Sequence, residues 1–161
     1  MDYPLLLIAD NDEDDVFFLR RAMTRLRILN PVRKVRTGED AKAYLEGSGR
    51  FANRTEHPMA SILLLDVHLP AISGIEVLRW IRERKPEGLL AVLAWTGTSS
   101  PGEKLAMHEE GVTCVDKPTA LAGYEELFNR FLGLRLDGSG EGRVLRAAGD
   151  PKIGSHEFRA F

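Results

Sequence analysis

Four side chains able to do chemistry each close or directly follow a short apolar run, in four separate parts of the chain. They are Asp10, Asp66, Thr96 and Lys117. If the four runs are parallel strands, these residues meet at one edge of one sheet, because ligands of such sheets bind at the carboxyl ends of the strands. Carboxylates held close together repel each other, and a hard dication such as Mg²⁺ relieves that repulsion by taking oxygen ligands. The pattern therefore predicts a magnesium site.

A metal at this edge would leave room for an anion. The ammonium of Lys117 and the hydroxyl of Thr96 would offer donors to it, most naturally to a phosphoryl group. Asp66 could then act as a carboxylate nucleophile that forms an aspartyl phosphate. Catalysis would come mainly from positioning and charge neutralisation, as in phosphoryl transfer generally.

The elements that must position these residues follow from the alternation of short apolar runs with longer amphipathic stretches. This alternation is typical of strand–helix units whose sheet is covered on both faces. The sequence thus predicts an α/β fold with a doubly wound parallel sheet of five strands. The predicted strands cover residues 5–10, 32–36, 62–66, 89–95 and 112–115.

Helix boundaries are marked by capping residues and breakers. The first helix is expected to continue until Asn30 and Pro31 stop it. Thr37 and Ser73 each stand three positions before an acidic residue, the arrangement of a capped helix start. Pro101 suits the first position of another helix.

The C-terminal part differs from the rest in composition. Residues 134–161 are rich in glycine and have no apolar periodicity. We therefore expect one domain over residues 1–133 and a C-terminal extension over residues 134–161 that is extended or partly disordered.

Charge and cysteine usage exclude several classes of function. The net charge is −2, from 22 basic and 24 acidic residues, so no overall field favours nucleic acid or an anionic membrane. The single cysteine, Cys114, cannot form an internal disulfide, which fits a reducing compartment. We find no signal-peptide pattern and no apolar segment long enough to span a membrane, so a cytoplasmic protein is expected.

Four motifs resemble the receiver domains of two-component response regulators, over about residues 5–132. The motifs are Leu6-Leu7-Ile8-Ala9-Asp10-Asn11-Asp12-Glu13-Asp14-Asp15, Leu64-Leu65-Asp66-Val67-His68-Leu69-Pro70 with Ser73-Gly74, Trp95-Thr96-Gly97, and Asp116-Lys117-Pro118. The resemblance implies the flavodoxin-like (CheY-like) strand order 2-1-3-4-5. Residues 38–52, with a long loop before the third strand, are similar to the stand-alone receivers that partner phytochrome-type sensor kinases.

The resemblance also implies roles. Asp66 would be the phosphoacceptor, Thr96 would hydrogen-bond the phosphoryl group, and Lys117 would neutralise one of its oxygens. The implied Mg²⁺ ligands are Asp10, Asn11, Asp66 and the backbone carbonyl of His68, with Asp12 as an additional candidate.

The same resemblance implies the partners. The phosphoryl donor would be a sensor histidine kinase, with a bacteriophytochrome as the candidate, and the output would be a downstream protein or a phosphotransfer protein. No helix-turn-helix pattern for DNA is present, and a homodimer is expected because the family often pairs through its fourth and fifth helices. The protein would be a signalling phosphoacceptor that promotes its own phosphorylation and dephosphorylation.

Four positions need a separate interpretation. Asn11 stands where the family has a second aspartate, and because an amide brings no charge, Mg²⁺ affinity is expected to fall. Cys114 replaces the usual aromatic switch residue three positions before the lysine, so Trp95 is a candidate to take over its signalling. Asp14 and Asp15 are interpreted as solvated residues at a helix start, where the helix dipole favours acids.

Other functions remain open at this point. A haloacid-dehalogenase-type phosphatase would use Asp10 as nucleophile and Asp12 as acid/base, but it needs a further acidic motif after Lys117 and leaves Asp66 without a role. A calcium loop at residues 10–21 lacks the required turn glycine and bidentate glutamate. A receiver fold that binds partners without phosphorylation is the remaining alternative.

Overall fold

One parallel sheet forms the centre of the protein. The computed structural model describes residues 3–89, 91–98, 100–131, 134–136 and 142–146. Its strands are β1 (Leu6–Ala9), β2 (Val32–Val35), β3 (Ile62–Asp66), β4 (Ala91–Thr96) and β5 (Cys114–Asp116). They are all parallel and lie in the order β2-β1-β3-β4-β5, which confirms the predicted fold class and strand order.

Five helices cover the two faces of this sheet. They are α1 (Glu13–Arg25), α2 (Gly38–Glu46), α3 (Gly74–Arg84), α4 (Pro101–Glu109) and α5 (Leu121–Phe131), with a short 3₁₀ turn at Gly49–Phe51. Successive strand residues point to opposite faces, so each strand contributes to two cores. In β1, Leu7 and Ala9 pack on the side of α2 and α3, whereas Leu6 and Ile8 pack on the side of α1 and α5.

The helix starts follow the local sequence signals. Ser73 and Glu76 form a capping box at α3, and Ser100 with Glu103 forms another at α4, where Pro101 is the first helical residue. At α2 the Thr37 hydroxyl accepts a hydrogen bond from the Asp40 N–H. These caps confirm the predicted starts of α2, α3 and α4 and fix where each helix leaves the sheet edge.

The end of α1 was predicted wrongly. The helix ends at Arg25 and not near Asn30. Arg27 has a left-handed backbone with φ 56°, and the Ile28 N–H donates to the Met23 carbonyl at 2.8 Å, which closes the helix early. Asn30 and Pro31 are therefore not the helix stop, because the chain has already turned before them. Strand β5 likewise begins two residues later than predicted, at Cys114.

A hairpin lies at the amino-terminal edge of the sheet. Strands β6 (Leu134–Leu136) and β7 (Arg143–Leu145) pair antiparallel, and β7 also runs parallel to Ile28 through an isolated bridge. The expectation for residues 134–161 included neither these strands nor this contact, and residues 147–161 lie outside the described part of the chain. In the ranges that the structure describes, no helix is long and apolar enough to cross a membrane.

Candidate functional site

The four residues predicted to meet do lie at the carboxyl edge of the sheet. Asp10 directly follows β1, whose last residue Ala9 pairs with Leu65, so Asp10 stands beside Asp66 at the end of β3. Thr96 ends β4. It pairs with Asp116, the residue before Lys117. The parallel register alone therefore gathers these side chains at one end.

Lys117 is the centre of the site. Its Nζ lies 2.7 Å from Asp15 Oδ2, 2.9 Å from Asp10 Oδ2 and 3.0 Å from Asp66 Oδ2. Its own N–H donates to the Thr96 carbonyl at 2.7 Å, which holds the lysine backbone at the end of β4. One ammonium thus neutralises part of the charge of three carboxylates.

Asp10 is the most enclosed of these acids. It is 0% exposed, and its Oδ1 accepts the Asp12 N–H at 2.8 Å. Among the described residues its Oδ2 has no hydrogen-bond partner, because the ammonium of Lys117 is close to it without the direction of a hydrogen bond. Burial raises the pKa of Asp10 to about 6, and the Asp12 N–H and Lys117 only partly oppose that shift.

The pKa of Lys117 moves in the direction opposite to what burial alone would give. Burial lowers the pKa of an ammonium, but the hydrogen bonds to Asp15 and Asp66 and the ion pair with Asp10 outweigh it and raise the pKa of Lys117. Three carboxylates stabilise the charged form of Lys117, whereas Asp10 shares one ammonium with two other acids. The site therefore favours the charge on the lysine and disfavours the charge on Asp10.

Asp66 is held at both oxygens. Its Oδ1 accepts the His68 N–H at 2.9 Å and its Oδ2 accepts from Lys117 Nζ. Gly74 keeps this end of β3 in place, since a Cβ there would collide with the Asp66 carbonyl oxygen. Thr96 is fully buried and its hydroxyl donates to the Thr98 carbonyl at 3.0 Å, so it would have to rotate to reach a ligand in the cleft.

An open cleft lies above these residues. It is lined by Asn11, Asp12, Glu13, Asp15, Asp66, His68, Gly97, Thr98 and Lys117. Asp10 and Thr96 lie behind this lining. Asp66 is therefore the strand-end carboxylate that a molecule entering the cleft meets.

The loop residues of the predicted site have distinct positions. Asn11 is exposed and lines the cleft. The side chain of Asp12 is the N-cap of α1 and accepts the N–H groups of Asp14 and Asp15 at 2.9 and 3.3 Å. The imidazole of His68 points away to Glu103, with 3.2 Å between Nε2 and Oε1.

Comparison with known proteins agrees with this geometry. A family model described as the response regulator receiver domain matches residues 6–129. This chain belongs to that family.

The individual relatives have low sequence identity to this chain. The polar-differentiation response regulator DivK of Brucella ovis is 27% identical over 81 residues, covering 50% of this chain and 64% of DivK, slightly less than two thirds of the length of that relative. The response regulator RPA3017 in red light signaling of R. palustris is 29% identical with a TM-score of 0.67, over 76% of this chain and 87% of that chain. The bacteriophytochrome response regulator RtBRR is 31% identical with a TM-score of 0.63, over 78% and 75%.

Asp15 is a residue of this receiver site that the sequence interpretation missed. The sequence predicts a solvated acid at the helix start for Asp15 as for Asp14, but the carboxylate of Asp15 is an ion-pair partner of Lys117. The available signal was spacing: Asp15 precedes the fully buried Leu19 by four positions, so both lie on the inner side of α1. Asp14 stands four positions before Phe18, which is 53% exposed.

Trp95, the candidate for the switch role, and Cys114, which stands at the position of the usual switch aromatic, lie on opposite faces of the sheet. Trp95 is fully buried on the α1 and α5 side, and Lys117 Nζ lies 5.2 Å from the centroid of its ring. Its indole N–H has no hydrogen-bond partner in the part of the chain that the structure describes. Cys114 packs on the other face and burial raises the pKa of its thiol, so it lacks the thiolate character of a reactive cysteine.

The donor set of this receiver domain suits a hard dication. Among the described residues, no three His, Cys, Asp or Glu side chains are arranged to hold a metal ion by themselves. Mg²⁺ commonly uses only one or two carboxylates and completes its shell with other oxygens, and receiver domains typically bind it at the phosphorylation site. The buried Asp10 Oδ2 without a hydrogen bond fits such an ion, and the Lys117 ammonium now occupies the place of a cation among the carboxylates.

Proposed function

We propose that this receiver domain is a single-domain response regulator that accepts a phosphoryl group on Asp66 from a sensor histidine kinase. The observation that carries the proposal is the position of Asp66, whose carboxylate lines the open cleft 3.0 Å from Lys117 Nζ. Membership of the receiver family supports the same role. Asp66 is both reachable and next to a fixed positive charge.

The transfer itself needs little covalent chemistry from the protein. A carboxylate oxygen of Asp66 attacks the phosphorus of a phosphohistidine, the P–N bond breaks, and its electron pair leaves with the imidazole, which takes a proton from water. With acetyl phosphate the P–O bond breaks and acetate leaves. Lys117 provides positive charge beside the incoming phosphoryl oxygens, and the hydroxyl of Thr96 would donate to them after turning from the Thr98 carbonyl.

The metal would be held by Asp10, Asn11, Asp66 and the backbone carbonyl of His68. A bound Mg²⁺ would neutralise charge on the carboxylates and on the phosphoryl group. Asp12 is a poorer ligand candidate than the sequence suggested, because its carboxylate already caps α1. Asn11 contributes an oxygen but no charge, so the expected Mg²⁺ affinity is lower than for a pair of aspartates.

The relatives support a particular kind of partner. RPA3017 is described as acting in red light signaling and RtBRR as a bacteriophytochrome response regulator, and these proteins are 29% and 31% identical to this chain. We infer that a bacteriophytochrome-type histidine kinase is the donor, and that a downstream protein or phosphotransfer protein receives the signal in the cytoplasm. A homodimer through α4 and α5 remains an expectation from the family.

The phosphatase alternative fits the geometry less well. It needs Asp10 as an accessible nucleophile, yet Asp10 is fully buried behind the cleft lining. It also needs Asp12 as acid/base, and that carboxylate accepts two backbone N–H groups of α1. The described strands after Lys117, β6 and β7, lie at the other edge of the sheet and carry no acidic residue.

The test is phosphoryl labelling of matched carboxylate-to-amide variants. Asp66→Asn should abolish the mass increase of one phosphoryl group after incubation with acetyl phosphate and Mg²⁺, and also with a panel of purified histidine kinases. Asp12→Asn should retain labelling, because asparagine caps a helix about as well as aspartate. Intact-protein mass spectrometry and hydroxylamine lability of the adduct provide the readout.

The opposite pattern would overturn the proposal. Labelling lost in Asp12→Asn but kept in Asp66→Asn would favour the phosphatase. Absence of labelling with every donor would favour a binding module that works without phosphorylation.

A further inference from the structure

Carboxylates surround the ammonium of Lys117 in its present position. Nζ donates hydrogen bonds to Asp15 and Asp66, and Asp10 Oδ2 lies 2.9 Å away as an ion-pair partner without a hydrogen bond. A phosphoryl group on Asp66 would add negative charge next to this ammonium. To bind one of its oxygens, Lys117 must loosen at least one of the three contacts.

The three contacts differ in how easily they can be released. Asp10 and Asp66 are 0% and 8% exposed and stand at strand ends that the sheet holds in place. Asp15 is 31% exposed and projects from the first turn of α1. Water can replace the lysine at Asp15 and screens that ion pair more strongly, so it is the contact that opens at the lowest cost.

Asp15 also has no other part in the proposed chemistry. It is not at the end of a strand, and its ion pair with Lys117, at 2.7 Å, is the shortest of the three. The backbone of Lys117 is fixed by its hydrogen bond to Thr96, so only the side chain can move. Asp15 therefore determines where one side of the ammonium rests.

We propose that Asp15 is a positioning residue that holds Lys117 in its resting place and is exchanged for the phosphoryl group when Asp66 is phosphorylated. This inference rests on the proposed phosphoacceptor function of Asp66. The exchange also separates two like charges, because Asp15 would otherwise face the phosphoryl group across one shared ammonium. Asp15 thus competes with the phosphoryl group for Lys117 and weakens the phosphorylated state.

The competition can be measured with beryllofluoride, a mimic of the phosphoryl group, at saturating Mg²⁺. Asp15→Asn should tighten beryllofluoride binding by about threefold to fivefold, the size expected for losing a competing ion pair that is partly exposed. Asp15→Glu keeps the charge and should remain within about twofold of the unmodified protein. Asp14→Asn removes one charge from the same helix turn, without a place in the cleft lining, and should also remain within about twofold.

Tryptophan fluorescence gives a readout close to the moving group. In a Trp80→Phe background the remaining indole is Trp95, and Lys117 Nζ lies 5.2 Å from its ring centroid. Mg²⁺ affinity is titrated separately for each variant, so that a weaker metal site is not mistaken for a weaker mimic. Thermal unfolding of all variants checks that each is folded.

The outcomes separate the two proposals. Equal beryllofluoride affinity in Asp15→Asn and Asp14→Asn, or weaker binding in Asp15→Asn, contradicts the role of Asp15 while leaving Asp66 as phosphoacceptor. If the unmodified protein binds no beryllofluoride and takes no phosphoryl group from any donor, the proposed function fails and the role of Asp15 fails with it.

Discussion

A buried polar side chain lies at each of the two edges of the sheet, the carboxyl edge and the amino edge, and the two side chains differ in how many of their polar atoms are hydrogen-bonded. At the carboxyl edge, Asp10 is fully buried and its Oδ2 has no hydrogen bond to any described residue. At the amino edge, Asn30 is 6% exposed and all its polar atoms are used. Its Nδ2 donates to the carbonyls of Pro4 and Leu145, both at 2.8 Å, and its Oδ1 accepts the Leu145 N–H at 2.6 Å.

The difference separates a structural residue from a functional one. Asn30 joins the start of β1 to the hairpin and leaves nothing for a ligand to bind. Asp10 is held in a state that costs stability and that a cation would relieve. A buried polar group without its full set of partners is therefore the better marker of a site in this fold.

The contrast between the two edges is tested most directly by removing the Asn30 side chain. Asn30→Ala should lower the free energy of unfolding by about 2–4 kcal/mol, because it leaves the N–H and carbonyl of Leu145 and the carbonyl of Pro4 without their partner. Urea unfolding followed by circular dichroism measures the change.

The matched control is Asn53→Ala. The Asn53 side chain also accepts a backbone N–H, that of Thr55, but in an exposed loop, and the loss should be about 1 kcal/mol or less. If the two variants lose the same stability, the contact between Asn30 and the hairpin does not stabilise the domain.

The next largest effect is expected for Asp10→Asn, which should raise the free energy of unfolding, whereas Asn30→Ala lowers it. Its pKa is about 6 in the folded protein against an ordinary 3.8, so the folded state binds more protons than the unfolded state between these values. The free energy of unfolding then falls as the pH rises through this window, and the penalty is complete above about pH 6. Asp10→Asn should remove it, a gain of about 1–3 kcal/mol at pH 7.5 in metal-free buffer that shrinks towards pH 4.

Two further measurements sharpen this result. Asp12→Asn changes an exposed carboxylate that caps α1 and should not reproduce the gain in stability at pH 7.5. Added Mg²⁺ should stabilise the unmodified protein more than Asp10→Asn, because only the former offers the buried carboxylate. A gain that is equal at pH 4 and pH 7.5 would contradict the role of the Asp10 charge.

The same contrast explains which features could be predicted from the sequence. The strand order, the helix caps and the meeting of Asp10, Asp66, Thr96 and Lys117 follow from short apolar runs that end in polar residues, a pattern visible along the chain. Asp15 was missed because its role depends on a lysine that follows it by 102 positions. An acidic residue in the first turn of a helix gives the same sequence pattern whether its side chain contacts water or an ion-pair partner.

The amino edge was harder to predict for a related reason. Asn30 and Pro31 have the composition of a helix stop, yet Asn30 bonds to Leu145, which is 115 positions away. Residues 134–146 contain few apolar side chains, and the burial of Leu145 depends on the surface offered by Leu26 and Ile28. Contacts between a segment with few apolar residues and a surface far away in the chain produce no periodic pattern in the sequence of the segment or of the surface.

The smallest predicted effect compares backbone strain at the two edges. Ala71 lies in the loop between Asp66 and α3 with φ 63°, and Lys85 ends α3 at the opposite edge with φ 47°. Because side chains other than glycine are strained in this region, Ala71→Gly and Lys85→Gly should each raise the free energy of unfolding by about 0.5–1 kcal/mol. Glu83→Gly, in the exposed and regular part of α3, should lower it by a similar amount.

The two glycine variants should differ in their affinity for beryllofluoride. Ala71→Gly gives more freedom to the segment that joins Asp66 to Gly74, so it should weaken beryllofluoride binding even though it stabilises the fold. Lys85→Gly relieves the same strain away from the cleft and should leave that affinity unchanged. If both variants bind beryllofluoride as the unmodified protein does, the strain at Ala71 belongs to the turn alone and does not hold the site in shape.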